Sequence, residues 1–541
     1  MAQDAKLNNK PVQLHVIHSW RGGVERWVKD YSRTDVLRSN LVLKSLGVPG
    51  VPGQKLELYQ HIDAESPIRV WELSVPIHST SITNLDYRYA LDEIFDTFNV
   101  SAILISSFIG HSLDIINTHI ETVIICHDYY PFCPAINIYF DQVCIECKFS
   151  HLQSCFKENK HNTVFPLASA SEWIPIRESF LKLIQYHEIM LIFPSNSVRR
   201  NLIKLEPALQ DIRFKVIPHG VERETAFIKI SQKNPSAKKL KILILGRLLF
   251  HKGLGLLKET YKEILEIADI YLLGCGEEGR SFEGVDGIYV VAENYSLEDL
   301  EKTVEEISPD LGLLLSIVPE TFSYTLSELF ILKIPTLATR VGSFEERIQE
   351  GINGFLVAPE KNALIKKIRE LSEQRQLLAN VANHLESKSH RTLTEMVDDY
   401  HEVVTLATLP PKHQVSGEFS LLSLTQAEFE RSQAQILKTQ AELEQLRTQL
   451  QQKEAAIERS HLQLQQTHAE LEQSHLQLQQ THAELEQSHL QLQQTHAELE
   501  RSHLQLQQAE ARITAMESSK FWKLRKAWHR LKPLMGLKSN E

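Results

Sequence analysis

Between residue 11 and about residue 410, short runs of β-branched and aliphatic residues alternate with longer stretches whose apolar residues recur every three or four positions. A buried parallel strand has a short continuous apolar run, whereas an amphipathic helix has the longer period. The pattern therefore predicts an α/β fold with parallel sheets. The predicted strands are 13–18, 102–106, 122–126, 189–193, 214–217, 240–245, 270–273, 288–291, 311–316 and 336–339.

A polar segment that contains Asn234, Pro235 and Ser236 separates these strands into two groups, and we interpret it as a linker. The sequence then predicts two Rossmann-like domains with a ligand cleft between the carboxyl ends of their strands. The predicted limits are 11–225 for the first domain, 226–239 for the linker and 240–409 for the second domain.

After about residue 410 the apolar pattern changes to a period of seven. Neither Gly nor Pro occurs between Gly417 and Pro533, and an apolar residue returns every seventh position from Leu422 to Ile513. Within this stretch a 14-residue unit, HLQLQQTHAELEQS, repeats from His461. The pattern predicts a helix over 418–517 that forms an oligomerising coiled coil, with one polar core position per heptad. A monomeric helical spacer is the alternative.

The tail, 518–541, combines cations with aromatic and aliphatic residues at helical spacing. The cations are Lys520, Lys523, Arg525, Lys526, Arg530, Lys532 and Lys538, and the apolar residues are Phe521, Leu524, Trp528 and Leu531. A basic amphipathic helix of this kind is typical of peripheral contact with an anionic membrane. Docking on a protein partner, or capping of the coiled coil, is the alternative.

The amino-acid composition excludes some classes of protein and argues against others. Hydrophobic residues make up 42% of the 541 residues, which excludes general disorder, and the formal net charge of −11 argues against nonspecific binding to nucleic acid. The N-terminus lacks a basic-then-apolar signal pattern, and no apolar run reaches the roughly 18–20 residues that span a bilayer. We therefore expect a cytoplasmic protein.

The first chemical candidates follow the predicted strand 240–245. Gly246 lets the backbone approach a ligand, and Arg247 and Lys252 place two cations where a diphosphate would lie. A βα turn with surface cations is the alternative interpretation of this motif alone.

A second group of candidates occupies 318–357. Glu320 and Glu328 are separated by seven residues, the first in a loop after strand 311–316 and the second in the next helix. Between them, Phe322, Ser323 and Tyr324 would present free N–H groups at the helix N-terminus, which favours an anion. Buried carboxylates accept hydrogen bonds from sugar hydroxyls. A solvated helix face with two acids is the alternative.

These motifs resemble those of retaining glycosyltransferases of the GT-B fold, glycosyltransferase family 4. The block 319–357 carries the most specific part of the resemblance, with the Glu-x7-Glu pair, Ile334-Pro335, Gly342 and Gly354-Phe355. The resemblance implies transfer of a sugar from a nucleotide-diphosphate sugar with retention at the anomeric carbon, as in enzymes that build surface polysaccharides. It implies no metal in catalysis.

The resemblance also implies roles for individual residues. Arg247 and Lys252 would hold the donor diphosphate and stabilise the leaving nucleotide, Glu320 would contact the donor sugar, and Glu328 would contact the ribose. The second domain would thus bind the nucleotide sugar, and the first would lie on the acceptor side. Lys333 stands where the family usually has Gly, and Leu329 where it usually has Ala.

The first domain contributes further candidates. Gly22 and Gly23 follow the first strand and resemble the family's loop over the donor phosphates; an ordinary Gly-Gly turn is the alternative. His127 follows a buried strand and would contact the donor sugar or the attacking hydroxyl. His111, Asp128 and Tyr129 are acceptor-side candidates. A structural histidine is the alternative for both His127 and His111.

Four of the six cysteines form a separate motif. Cys133, Cys144, Cys147 and Cys155 have the spacing C-x10-C-x2-C-x7-C, with His151 nearby. Four thiolates suit tetrahedral zinc in type and number, so we expect a structural zinc site that shapes the acceptor side. Packed reduced thiols and a redox role are the alternatives.

Together these observations predict a glycosyltransferase with a nucleotide-sugar co-substrate, a glycan or lipid-linked acceptor, self-association through the coiled coil and peripheral membrane contact. A catalytically silent scaffold with a glycosyltransferase-like domain is the rival function.

Overall fold

The computed structural model describes residues 10–20, 22–48, 51–166, 168–222, 239–405 and 421–532. The chain divides into two compact units, Met1–Glu428 and Phe429–Glu541. The first unit holds two large β-sheets with helices packed on them, which confirms the predicted α/β class with two separate sheets.

The first large sheet has eight strands in the order β12-β11-β8-β6-β1-β2-β3-β4. Its strands are β1 Val12–His18, β2 Ser39–Val48, β3 Val51–Tyr59, β4 Arg69–Ile77, β6 Val100–Ile105, β8 Glu121–Ile125, β11 Met190–Phe193 and β12 Phe214–Val216. The pairs β2–β3 and β3–β4 are antiparallel, and the other neighbours are parallel. Two-residue strands form two small additional sheets: β5 Thr80–Ser81 with β7 His111–Ser112, and β9 Tyr139–Phe140 with β10 Gln142–Val143.

The second large sheet has six parallel strands in the order β15-β14-β13-β16-β17-β18. They are β13 Leu240–Leu245, β14 Ala268–Leu273, β15 Ile288–Ala292, β16 Leu311–Leu314, β17 Thr336–Thr339 and β18 Phe355–Val357. Strand β13 is buried along nearly its whole length, as expected for a central parallel strand covered on both faces.

Helices connect the parallel strands and cover both sheets. Those up to the linker are α1 Gly23–Thr34, α2 Leu85–Phe98, α3 Phe149–Glu158, α4 Ala170–Tyr186 and α5 Asn196–Leu205. Those after it are α6 Leu254–Ile264, α7 Leu297–Ile307, α8 Tyr324–Ile331, α9 Phe344–Arg347, α10 Lys361–Glu373, α11 Arg375–Ser387 and α12 Leu393–Val403. Each large sheet has its own apolar core.

Helix α12 follows the second sheet in the chain but packs against the first. Its buried residues Met396 and Tyr400 join a cluster with Trp27 and Tyr31 of α1. Just before α12, the backbone N–H of Val221 donates to the carbonyl of Arg391 at 3.0 Å, and the Arg391 guanidinium donates to the carbonyl of Pro218 at 3.0 Å. The two chain crossings between the sheets are therefore bonded to each other.

The remaining helices are α13 Leu421–Ser518 and α14 Lys520–Leu531. Helix α13 has 98 residues, and its heptad leucines are exposed in the single chain; Leu471 and Leu478, for example, are each 66% exposed. The predicted long helix is therefore confirmed, whereas its association into a coiled coil stays a prediction. Among the described helices, none is both long and apolar enough to cross a bilayer.

Candidate active site

Glu320 and Lys252 form an ion pair at the carboxyl end of the second sheet. Glu320 follows β16 and is 8% exposed, and the Lys252 ammonium donates to its two carboxylate oxygens at 2.6 and 2.8 Å. Burial alone would raise the pKa of Glu320, but the Lys252 charge holds that pKa below its ordinary value. The carboxylate is therefore ionised and keeps lone pairs for further hydrogen bonds.

Glycines allow the backbone to approach closely around this pair. Gly253 has φ +92°, and a Cβ there would lie 2.1 Å from the carbonyl oxygen of Leu315. Gly342 has φ +59°, and a Cβ there would lie 2.3 Å from the amide nitrogen of Glu320. A side chain at either position would push the turn of Lys252 or the backbone of Glu320 out of place.

Glu328 lies on α8, is 3% exposed and bonds through both carboxylate oxygens. Arg26 of α1 donates to Oε1 at 2.5 Å, and the Tyr295 hydroxyl donates to Oε2 at 2.6 Å. The Arg26 guanidinium also lies over the Tyr324 ring, 4.2 Å from its centroid. Glu328 therefore joins the two sheets, because it lies on α8 of the second and bonds to Arg26 on α1 of the first.

Sequence reasoning did not single out Arg26 or Tyr295. Arg26 and Glu328 are 302 positions apart, so no local spacing links them. The available signal was the place of Arg26 in the first turn of the helix that Gly22 and Gly23 open, where a cation would face the same ligand as the glycine loop.

A buried arginine, Arg347, donates hydrogen bonds to the turn that leads into α8. Ser323 caps the helix with φ 71°, and its hydroxyl accepts from the backbone N–H of Leu326 at 3.3 Å. Arg347 donates to the carbonyls of Phe322 and Ser323 at 2.5 and 2.9 Å, and burial lowers its pKa to about 9. Arg347 thus satisfies carbonyls of the turn from which α8 begins.

Aromatic and histidine rings line the junction beside Tyr324. The His219 ring stacks on Tyr324 with centroids 5.6 Å apart, and the His127 ring lies 5.3 Å from His219 and 5.3 Å from Trp27. Burial, helped by the neighbouring His18, lowers the pKa of His127 to about 3, so its imidazole is neutral. The His219 ring therefore separates His127 from Tyr324, and the neutral His127 ring offers one hydrogen-bond donor and one acceptor.

The glycine and Arg247 candidates are placed differently. Gly246 has φ +97°, and a Cβ there would lie 2.9 Å from the Thr325 side chain. Gly22 has φ +89°, and neither it nor Gly23 has a neighbour that would meet a Cβ within 4 Å. Arg247 is 63% exposed at its side chain and faces Glu278 at 3.8 Å, so it does not join Lys252 on Glu320.

Lys333 stands where the family that the sequence resembles usually has Gly, and its backbone conformation is one that favours glycine. Lys333 has φ 59°, in the left-handed region that glycine adopts without strain. The lysine therefore occupies a backbone conformation that suits the glycine usual in the family.

The acceptor-side candidates lie in three environments. His111 is fully buried, and its ring nitrogens pair with the Ile17 carbonyl at 2.8 Å and the Tyr87 hydroxyl at 2.9 Å. This is the environment of a structural histidine, the alternative that the sequence left open. The Asp128 carboxylate accepts from the Tyr130 amide at 2.8 Å, and burial raises its pKa to about 6.

Tyr129 connects the two sheets. Its hydroxyl donates to the carbonyl of Pro319, the residue before Glu320, at 3.3 Å, and it accepts from the Asn201 amide at 3.1 Å. Nearby, the Ser195 hydroxyl donates to the Thr321 carbonyl at 2.9 Å. The loop that carries Glu320 is therefore fixed from the first sheet as well as from the second.

The four clustered cysteines are free thiols with individual partners. Cys133 accepts from the Ile138 amide at 3.3 Å, Cys155 from Asn159 at 3.3 Å and Cys147 from Arg177 at 3.1 Å, while Cys144 lies 3.5 Å from a His151 nitrogen. Burial raises the pKa of Cys133, Cys144 and Cys155, which favours neutral thiols.

This cysteine geometry does not support the expected zinc site. Within the described ranges, which include all four cysteines, no group of three or more His, Cys, Asp or Glu side chains has an arrangement that would hold a metal ion. The structure favours the alternative of packed, reduced thiols, because hydrogen-bond donors and apolar neighbours surround them.

One family model matches the part of the chain that contains the second sheet. Residues 226–387 match the family model described as Glycosyl transferases group 1. This segment contains Lys252, Glu320 and Glu328, and it ends within α11. No curated protein matches the chain.

Several solved structures are similar to most of the chain. HepE of Anabaena in complex with UDP-glucose is 16% identical, with a TM-score of 0.47 over 73% of this chain and 99% of that chain. A glycosyltransferase from Rickettsia africae ESF-5 is 16% identical, with a TM-score of 0.48 over 74% of this chain and 100% of that chain. Sucrose-phosphate synthase from Thermosynechococcus elongatus is 13% identical, with a TM-score of 0.47 over 73% of this chain and 98% of that chain.

Proposed function

We propose that this protein is a retaining glycosyltransferase that transfers a sugar from a nucleotide-diphosphate sugar to a glycan or lipid-linked acceptor in surface polysaccharide synthesis. The observation that carries the proposal is the pair of buried carboxylates, Glu320 and Glu328, of which the first is paired with Lys252 and the second with Arg26 from the first sheet's α1. Both lie in the segment that matches Glycosyl transferases group 1.

The contacts of the two carboxylates suit this reaction. In the proposal Glu328 accepts hydrogen bonds from the ribose and Glu320 from the donor sugar, because each carboxylate has more lone pairs than its present partners use. Lys252 and Arg247 bind the diphosphate and stabilise the charge that develops on the leaving nucleotide. His127 contacts the sugar or the attacking hydroxyl. The domain limits 11–225 and 240–409 form part of the same proposal.

A silent scaffold that binds a nucleotide sugar without turnover is the rival. The Lys252–Glu320 and Arg26–Glu328 ion pairs are compatible with both functions, because either one needs these groups to bind the donor. Turnover of the bound donor separates the two functions, because a scaffold releases no nucleoside diphosphate.

A thermal-shift panel of UDP, GDP, ADP, CMP and dTDP with their common sugar conjugates tests the proposal. We expect one nucleotide family to stabilise the wild type by about 2.7 kcal/mol at 100 times its dissociation constant. The effect should be lost in Glu328→Gln, because the amide cannot accept as a charged carboxylate does. Glu373→Gln, on the exposed face of α10, is the matched control.

The outcomes of this panel are distinct. Stabilisation by one family, lost in Glu328→Gln and kept in Glu373→Gln, supports the donor site; release of the nucleoside diphosphate from the sugar conjugate then supports the enzyme. Retention is checked by the anomeric proton of the product in NMR spectra. No stabilisation by any nucleotide contradicts the proposal.

Peripheral membrane contact through α14 is a further part of the proposal. Phe521, Leu524, Trp528 and Leu531 share one helix face and are 76%, 69%, 52% and 51% exposed. Six lysines and arginines and no acidic residue lie between Lys520 and Lys532. Such a helix would lie on an anionic bilayer, with the protein at the cytoplasmic face of the membrane.

Sedimentation of the full chain with vesicles measures this contact. We expect binding to vesicles that contain phosphatidylglycerol and little binding to pure phosphatidylcholine. Replacing both Phe521 and Trp528 by Ser should weaken binding at least about 10-fold, because two large apolar side chains no longer enter the interface. Leu446→Ser, an exposed leucine of α13, should leave it unchanged. Equal binding to both vesicle types would contradict the expected attraction between the α14 cations and the anionic lipid.

Self-association through α13 completes the proposal. The exposed leucine seam and its 14-residue repeat support a coiled coil, since each heptad adds a small apolar contact between copies. Sedimentation equilibrium of the full chain measures the mass, and a monomer mass at all concentrations would remove this part.

A further inference from the structure

The segment between β8 and α4 contains the four clustered cysteines, and part of it reaches the second sheet. The His161 ring stacks on the Phe250 ring, with centroids 3.7 Å apart and planes 9° apart. The Tyr139 ring meets both, at 5.9 Å from His161 and 6.3 Å from Phe250. Two side chains from the first sheet's connecting segment thus hold one side chain from the second sheet's β13–α6 connection.

One buried side chain fixes both of these rings. Asn159 is 7% exposed, and its amide nitrogen donates to the Tyr139 carbonyl at 2.8 Å and to the Cys155 sulfur at 3.3 Å. Its amide oxygen accepts from the backbone N–H of His161 at 2.9 Å. Asn159 therefore ties the two rings to each other and to the packed cysteines.

The side chain they hold begins the turn that carries Lys252. Phe250–Lys252 is a single 3-10 turn, closed by bonds from the Lys252 amide to the Leu249 carbonyl at 2.9 Å and from the Gly253 amide to the Phe250 carbonyl at 3.0 Å. On its own sheet the turn is bonded through the His251 carbonyl, which accepts from Ser316 and from the Ile317 amide, each at 3.0 Å. The Phe250 ring meets Tyr139 and His161, and Phe250 is 41% exposed.

We propose that Tyr139, His161 and Phe250 form an aromatic clamp, anchored by Asn159, that positions Lys252 for the diphosphate of the donor. This inference rests on the proposed function and adds a role for the cysteine segment on the donor side. The three clamp residues and Asn159 are positioning residues, because they act on the donor through the turn of Lys252.

Binding of the nucleoside diphosphate selected in the panel, measured by calorimetry, tests the clamp. We expect the dissociation constant to rise about 5-fold in His161→Ala and in Asn159→Ala, as the loss of a stacked aromatic contact predicts. His161→Phe should restore wild-type binding, because a phenyl ring stacks equally well. Tyr289→Ala is the matched control, since it removes an exposed ring that stacks on Tyr271 away from this turn.

Hydrogen exchange without any nucleotide separates failure of the clamp from failure of the proposed function. We expect the amides of Lys252 and Gly253 to exchange at least about 3-fold faster in His161→Ala, with His161→Phe again like the wild type. Unchanged exchange in both His161→Ala and Asn159→Ala would overturn the clamp even if nucleotides bind. Faster exchange in a protein that binds no nucleotide would keep the clamp contact, overturn its role for a donor and contradict the proposed function.

Discussion

Replacing Lys252 by Ala should weaken binding of the donor nucleotide by about 100-fold or more. Two effects add in this variant: the diphosphate loses a charge-assisted hydrogen bond, and the buried Glu320 carboxylate, bonded by Lys252 through both oxygens, is left unpaired beside the phosphates. The measurement is calorimetry with the nucleoside diphosphate that stabilises the wild type. Lys258→Ala, an exposed lysine of α6, is the matched control.

The double variant Lys252→Ala/Glu320→Gln makes this prediction sharper. Removing the uncompensated charge should recover about 10-fold of the lost affinity, so the two substitutions should be strongly non-additive. Additive losses would show that Glu320 does not act on the phosphates through Lys252. Wild-type affinity in Lys252→Ala would contradict the placement of the diphosphate at this turn.

Acidification should destabilise the folded protein steeply below pH 6.5. His15 and His111 are both 0% exposed, and burial lowers the pKa of each from 6.5 to about 4. Between these values the unfolded chain takes up protons that the folded chain refuses, so stability falls as the pH falls. Each histidine should account for about 2 kcal/mol at pH 5.

The Asp128 carboxyl has the opposite effect on the stability of the folded chain. Burial raises its pKa to about 6, so the folded chain binds its proton first and gains stability as the pH falls through 6. This gain is smaller than the combined loss from the two histidines, and the net change should remain destabilising.

Chemical denaturation at pH 7.5 and pH 5 measures the acid effect. His15→Gln should reduce the difference in stability between the two pH values, because glutamine does not titrate. His468→Gln, at a 72% exposed side chain of α13, should leave it unchanged. Equal stability of the wild type at the two pH values would contradict the expectation.

The sequence pattern predicts the buried parallel strands well and the edge of the first sheet poorly. Strands β13 and β17 have the limits that their apolar runs indicate. Strands β2, β3 and β4 were not predicted. The apolar run of β2 is short, Leu41–Leu43, whereas β3 contains both Pro52 and Gly53 and, like β4, mixes buried with more exposed side chains. An alternating antiparallel edge lacks the continuous apolar run of a buried parallel strand.

In the candidate site, too, residues of local motifs could be predicted and contacts between the two sheets could not. Lys252, Glu320 and Glu328 could be chosen because they belong to local motifs: Lys252 follows a strand, and the two glutamates have a fixed spacing across a loop and the next helix. The Arg26–Glu328 bond and the stacking of His161 on Phe250 could not, because each joins residues from different sheets. Contacts of this kind depend on how the two sheets face each other, which local spacing does not encode.

The chain passes from the first sheet to the second and back again at one place in the α/β unit. The chain leaves the first sheet after Val221 and returns before α12 beside Arg391, and the two crossings are bonded to each other. A change at Arg391 would therefore act on both ends of the second-sheet segment, because this one residue bonds to both Pro218 and Val221. The Arg26–Glu328 ion pair ties the same two sheets a second time, through α1 and α8.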